Sequence, residues 1–177
     1  LPPLCGRDLQ VEWRPGLRAW RGRLLSGAAG VRAPGQAVHA ASSIRQRKVV
    51  IDRELRRNPA ELSRILVHEV FHFAWVRLSN ETRRSWGALL QAEMARRARG
   101  ELGWSAEWRK RWLVARSGCA RGRRWSEYAC ESFCDTAAWA YAGAGEHAEF
   151  TLAARWSEAR RAWFATLEAR HPAGLRI

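Results

Sequence analysis

Between Ile65 and Val76 the chain reads ILVHEVFHFAWV, in which nine of twelve residues are apolar and the other three are His68, Glu69 and His72. Read as a helix, this run is apolar on nearly every side and must be buried. An ionised carboxylate in such surroundings is costly unless something pairs with it. Whatever fold the chain adopts must therefore enclose this helix and also supply a partner for its acid.

The flanking sequence frames the helix clearly. Asn58, Pro59 and Glu61 give an N-cap, a proline at the first helical position and a capping-box acid, so the helix is expected to run from there to about Leu78. Upstream, LQVEW (Leu9 to Trp13), QAVHAAS (Gln36 to Ser42) and KVVID (Lys48 to Asp52) read as short strands separated by Gly/Pro turns. Downstream, helices are expected over Glu81 to Arg99, Ser105 to about Ala115, Ser126 to Tyr141 and Thr151 to Arg170, with an Arg-rich loop, SGCARGRR, at 117–124. Trp104, Trp108 and Trp112 recur every four residues, a stripe expected to pack into the core. In the last helix Leu152, Trp156, Ala159, Trp163 and Leu167 are expected to face inward. The order predicts an α+β architecture, a small N-terminal β-sheet followed by a mainly helical bundle. With 177 residues, 47% of them hydrophobic, and no long linker or repeat, one domain over 1–177 is expected.

Residues four apart on a helix lie one turn apart on one face, so His68 and His72 can aim two imidazole nitrogens at one point. Zinc accepts such nitrogens and, in catalytic sites, takes three protein ligands and keeps one position open. Glu69 is offset by part of a turn, where it reaches a metal-bound water rather than the metal and serves as its general base. No histidine lies between His72 and His147, so the third ligand is expected from an acid. WSEYACESFCDTAAW, from Trp125 to Trp139, offers Glu127, Glu131 and Asp135 at four-residue steps. Glu131 as ligand places Asp135 one turn on, able to accept the second N–H of a ligating histidine. Glu127 as ligand, with Glu131 behind it, remains the alternative.

HEVFH followed by ESFCD resembles the gluzincin branch of zinc metallopeptidases, whose pattern is HExxH and, tens of residues later, ExxxD. Here Glu131 follows His72 by 59 positions (131 − 72). The match covers two helices, about a fifth of the chain, and the short length resembles the minimal single-domain members. The resemblance implies a zincin-like fold with Zn2+ held by His68, His72 and Glu131. It also implies Glu69 as base and later proton donor, and Asp135 behind a ligand. Peptide or protein is the implied substrate, bound in extended form along a strand edge, here QAVHAAS. No segment clearly matches the branch's transition-state stabiliser; Tyr128, Tyr141 and His147 are the candidate oxyanion donors.

Charge gives a second, weaker pointer. Thirty-one Lys and Arg against 17 Asp and Glu leave +14, a field that favours acidic partners; a compositional bias towards arginine is the plainer explanation of it. HExxH also occurs in small basic DNA-associated metalloproteases of the SprT type, and GELGWSAEW (Gly100 to Trp108) faintly resembles their third-ligand segment, without its histidine. In that reading Arg121, Arg123 and Arg124 contact phosphate. A catalytically silent metal-binding module is the third alternative. Cys5, Cys119, Cys130 and Cys134 form no CxxC pair and are expected to be reduced, which favours the cytoplasm; a monomer is expected. The uncharged run Leu24 to Val31 is too short to span a bilayer, and a chain that starts at Leu1 says nothing of what precedes it.

Overall fold

The computed structural model describes residues 1–27, 34–116 and 120–177. KVVID forms the strand β7 (Lys48–Asp52), and Val49, Val50 and Ile51 are buried. A strand covered on both faces is built from such a continuous β-branched run. It is the middle of a three-stranded sheet, parallel to β2 (Gln10–Arg14) on one side and antiparallel to β6 (Ala40–Ser43) on the other. A parallel pair needs a crossover. Here it includes β3 (Arg18–Trp20), β4 (Arg23–Leu25) and β5 (Gln36–Ala37), which form a second, antiparallel sheet in the order β4-β3-β5. The two-residue strands β1 (Leu4–Cys5) and β8 (Leu175–Arg176) pair in parallel and bring the chain ends together.

QAVHAAS is thus two strands rather than the single one its composition predicts. Gln36–Ala37 pairs with β3, whereas Ala40–Ser43 pairs with β7. Between them Val38 N donates to Leu17 O, and His39 O accepts from Asp52 N. Two different neighbours take these backbone groups where the chain changes sheets.

The helix α1 (Pro59–Arg77) starts where expected: the Asn58 side chain accepts from Glu61 N, and proline occupies the first turn. Its all-round apolarity has a structural cause. Phe73, with Leu62, Ile65 and Leu66, packs against Val49, Ile51 and Leu55 on the sheet side. Val67, Phe71, Ala74 and Trp75 belong to the larger helical core. One helix is shared by two hydrophobic clusters and so has no solvent face along its middle.

Four further α-helices occur among the described residues: α2 (Asn80–Ala95), α3 (Trp104–Arg116), α4 (Gly122–Tyr141) and α5 (Ala154–Ala169). The fold is α+β. α2 stops short of Arg99, with Arg97 at φ 56°, and α4 starts early enough to include Arg123 and Arg124 of the Arg-rich segment. Cys119 lies outside the described residues, and Cys5, Cys130 and Cys134 are free thiols. Among the described residues no helix is long and apolar enough to cross a membrane.

Two side-chain expectations are corrected. Trp104 and Trp108 are 52% and 54% exposed, stacked on each other outside the core. α5 buries Ser157, Arg160, Phe164 and Leu167; Leu152, Leu167 and the half-buried Trp163 face the core as expected, whereas Trp156 and Ala159 stay only partly buried outside it. The unexpected member of the inward face is Arg160, fully buried and fork-bonded to Glu93, with Nη1 also 2.7 Å from Glu101 Oε2. Lys110 Nζ and Tyr128 Oη join the same Glu101 carboxylate. This buried ion cluster links α2, α3, α4 and α5 and pins the turn leading to Gly103. Every charge in it is partnered, the condition under which such a group is tolerated in a core.

Candidate metal centre

α1 and α4 pack against each other, and Cys134, Ala137 and Ala138 of α4 are buried there as small residues. Small side chains allow close approach, and the two polar faces meet. His68 Nε2 and His72 Nε2 stand 3.2 Å apart. Glu131 Oε2 lies 3.3 Å from the first and 3.9 Å from the second. Donors bound to one tetrahedral ion at about 2.0–2.1 Å are separated by about 3.3–3.5 Å. The three atoms therefore fit a single divalent cation, and two imidazoles with one carboxylate are a donor set suited to zinc.

The ring orientations are held from behind. Asp135 Oδ1 is 2.7 Å from His68 Nδ1, a contact that turns Nδ1 to the carboxylate and Nε2 to the site. Asp135 Oδ2 accepts from Ala106 N at the start of α3. Gly103 is required beside it: a Cβ there would lie 2.2 Å from the Asp135 carboxyl carbon. Arg109 Nη2 holds the outer oxygen of Glu131 at 3.0 Å. His72 Nδ1 faces Cys130 Sγ at 3.4 Å.

Electrostatics point the same way. Burial works against charge on His68, yet the Asp135 carboxylate, with help from Glu131 and Glu69, holds its pKa well above the ordinary value. Burial likewise opposes ionisation of Glu131, but His68, His72 and Arg109 bring its pKa down to about 2. Three carboxylates around two imidazoles make a pocket that attracts positive charge.

Glu69 lies beside this set and is almost buried. Ser42 Oγ donates to Glu69 Oε2 at 2.5 Å and also contacts Glu69 O at 2.9 Å. Ser42 belongs to β6, which pairs with β7 along one side only. Ala40, Ala41 and Ser42 line the same cleft of about 620 Å³ as His68, Glu69, His72 and Glu131.

The remaining candidates are elsewhere engaged. Glu127, at the cleft rim, pairs with Arg123 at 2.7 Å. Tyr128 is buried and donates to Glu101, Tyr141 donates to Glu168, and His147 Nε2 sits 3.2 Å from Glu61. None of these last three lines the cleft. Glu101, the acid of GELGWSAEW, is committed to Arg160 and Lys110. Sequence reasoning passed over Ser42, Gly103 and Arg109. Their partners are distant in the chain, and no local pattern marks them.

Comparison with protein-family models, with curated proteins and with solved structures finds no match.

Proposed function

We propose that the chain is a zinc-dependent peptidase of gluzincin-like, zincin-like design, with His68, His72 and Glu131 as metal ligands and Glu69 as general base. The observation that carries the reading is the convergence of His68 Nε2, His72 Nε2 and Glu131 Oε2 next to a cleft that also contains Glu69. Zinc bound there supplies Lewis-acid polarisation of water and of the scissile carbonyl.

The chain's own residues do the rest. Asp135 keeps the His68 proton on Nδ1 and so presents Nε2 as a donor. Glu69 accepts a proton from the attacking water and delivers it to the departing amine. Ser42 fixes the Glu69 carboxylate in one orientation, so little reorganisation is needed when the proton moves. The cleft-side edge of β6 offers its backbone groups to a substrate in extended conformation.

The test pairs elemental analysis with peptide hydrolysis. Purified protein is expected to hold one zinc per chain. Glu69→Gln is expected to keep that zinc while losing about 10²–10⁴-fold in turnover. Full hydrolysis by the variant, or no stoichiometric zinc, overturns the reading. Zinc retained without any turnover by the parent protein leaves the catalytically silent metal module instead.

A nucleic-acid context for the same centre draws support from one surface. Trp104 and Trp108 stack at 6.4 Å, exposed, with Arg109 over Trp108 and Arg123 and Arg124 around the adjacent hollow. Aromatic platforms among arginines suit single strands. Binding is then expected to fall steeply with salt and to weaken in Trp108→Ala; undetectable binding at low salt removes this context.

A further inference from the structure

Behind His72 lies a second group of donors that the peptidase reading does not use. Cys130 Sγ stands 3.4 Å from His72 Nδ1, and His72, Cys130 and Cys134 each contribute one donor atom such that all three lie within 4.8 Å of one another. The two thiols are four residues apart on α4, so one face of that helix carries both sulfurs. Cys134 is fully buried, while Cys130 is half-buried and lines the cleft. The group thus has an apolar floor and an entrance.

We infer that His72 Nδ1, Cys130 Sγ and Cys134 Sγ form a separate binding site for a thiophilic d10 cation of the Cu+ or Cd2+ class. Two sulfurs and one imidazole nitrogen are soft to borderline donors, which favour such ions over the oxygen-seeking Mg2+ and Ca2+. Binding exchanges protons for metal: each thiol releases its proton to solvent as its sulfur–metal bond forms, and no electron changes hands. Nδ1 contributes the third lone pair. Nδ1 and Nε2 project from opposite sides of one ring, so this site does not need His68 or Glu131. Only one consequence rests on the peptidase reading. With Nε2 on zinc, filling the second site also removes the ring's last proton, so zinc-loaded protein binds the thiophilic ion more weakly than metal-free protein.

The test uses metal-free full chain carrying Cys5→Ser and Cys119→Ser, so that Cys130 and Cys134 are its sole thiols. Cd2+ is titrated while the sulfur-to-cadmium charge-transfer absorption is followed, a signal to which a His/His/Glu set contributes nothing. The band is expected to saturate at one equivalent. It should persist when His68→Ala and Glu131→Gln are added, and vanish in Cys130→Ser with Cys134→Ser. The single Cys130→Ala variant, the milder change, should lower the amplitude by about half. No band, or an undiminished band without the two cysteines, overturns the site. So does loss of zinc at His68 and Glu131 in the cysteine variants when the parent shows no sulfur–cadmium band, because Cys130 then only orients His72. Zinc kept by the His68→Ala, Glu131→Gln protein after both cysteines are also replaced strikes at the peptidase reading and leaves the thiol site standing.

Discussion

Asp135 and His68 are joined by a 2.7 Å contact from Oδ1 to Nδ1, and the other carboxylate oxygen is tied to Ala106 N at 2.9 Å. Loss of such an orienting carboxylate typically costs 10–100-fold in metal affinity. Asp135→Asn is therefore expected to bind zinc about 10–100-fold more weakly. Gly103→Ala should do the same without touching either residue, since its methyl would occupy the carboxylate's place. Competition for zinc against a chelator of known affinity measures both; unchanged affinity in Gly103→Ala would show that Asp135 can move freely.

Ser42 tests the base rather than the ligands. Its hydroxyl is the hydrogen-bond donor on Glu69 Oε2, and a hydrogen bond to a charged group contributes about 1.5–3 kcal/mol. Ser42→Ala is expected to lower kcat about tenfold, with KM and bound zinc nearly unchanged, because the substrate edge of β6 is backbone. Steady-state kinetics on a peptide that the parent protein cleaves, together with zinc analysis, separates this from a loss of metal.

The contrast between Glu131 and Ser42 shows what could be read without coordinates. HEVFH and ESFCD are local patterns: helical spacing alone puts His68 and His72 on one face and Glu131 one turn before Asp135. The helix carrying them was equally legible, because Asn58, Pro59 and Glu61 act within four residues. Ser42, Gly103 and Arg109 reach their partners across 27, 32 and 22 positions (69 − 42, 135 − 103, 131 − 109), and no periodicity encodes such contacts. The buried Arg160 of α5 was hidden for a related reason. A hydrophobic-stripe rule finds Trp163 and Leu167 but has no place for Arg160, which the fold buries because Glu93 and Glu101 await it. The break in QAVHAAS was hidden too, since one composition serves two sheets.

That buried cluster makes the protein sensitive to acid. Burial alone would raise the Glu101 pKa, but Arg160, then Lys110 and the Tyr128 hydroxyl, bring it down to about 2. The sign follows directly. Above pH about 4.5 the carboxyl is ionised in folded and unfolded chains alike, and its full contribution is present. As pH falls from about 4.5 towards 2, the unfolded chain takes up a proton that the folded site refuses, so stability declines through that window. Glu101→Gln is expected to flatten the slope and to lower stability at pH 7 by about 3–5 kcal/mol, because Arg160 loses one of its two buried partners. Urea unfolding across pH 3–7 (an interval of roughly one unit per step is enough to resolve the slope) checks both.

Trp86 and Trp108 look alike in the sequence, each in a helical segment with charged neighbours, and the fold treats them oppositely. Trp86 is completely buried, donates from its indole to Ala129 O and sits among Phe133, Trp163 and Phe164. Trp108 is half-exposed and touches Trp104 and Arg109. Trp86→Ala is expected to destabilise by about 3–5 kcal/mol, through lost burial, the cavity left and the orphaned carbonyl. Trp108→Ala should cost no more than about 1 kcal/mol, the scale of one exposed cation–π contact. Equilibrium denaturation of the two variants side by side decides it. A large loss in Trp108→Ala would mean that the tryptophan pair packs against something in the folded protein, and the aromatic platform beside the cleft would no longer be a free surface.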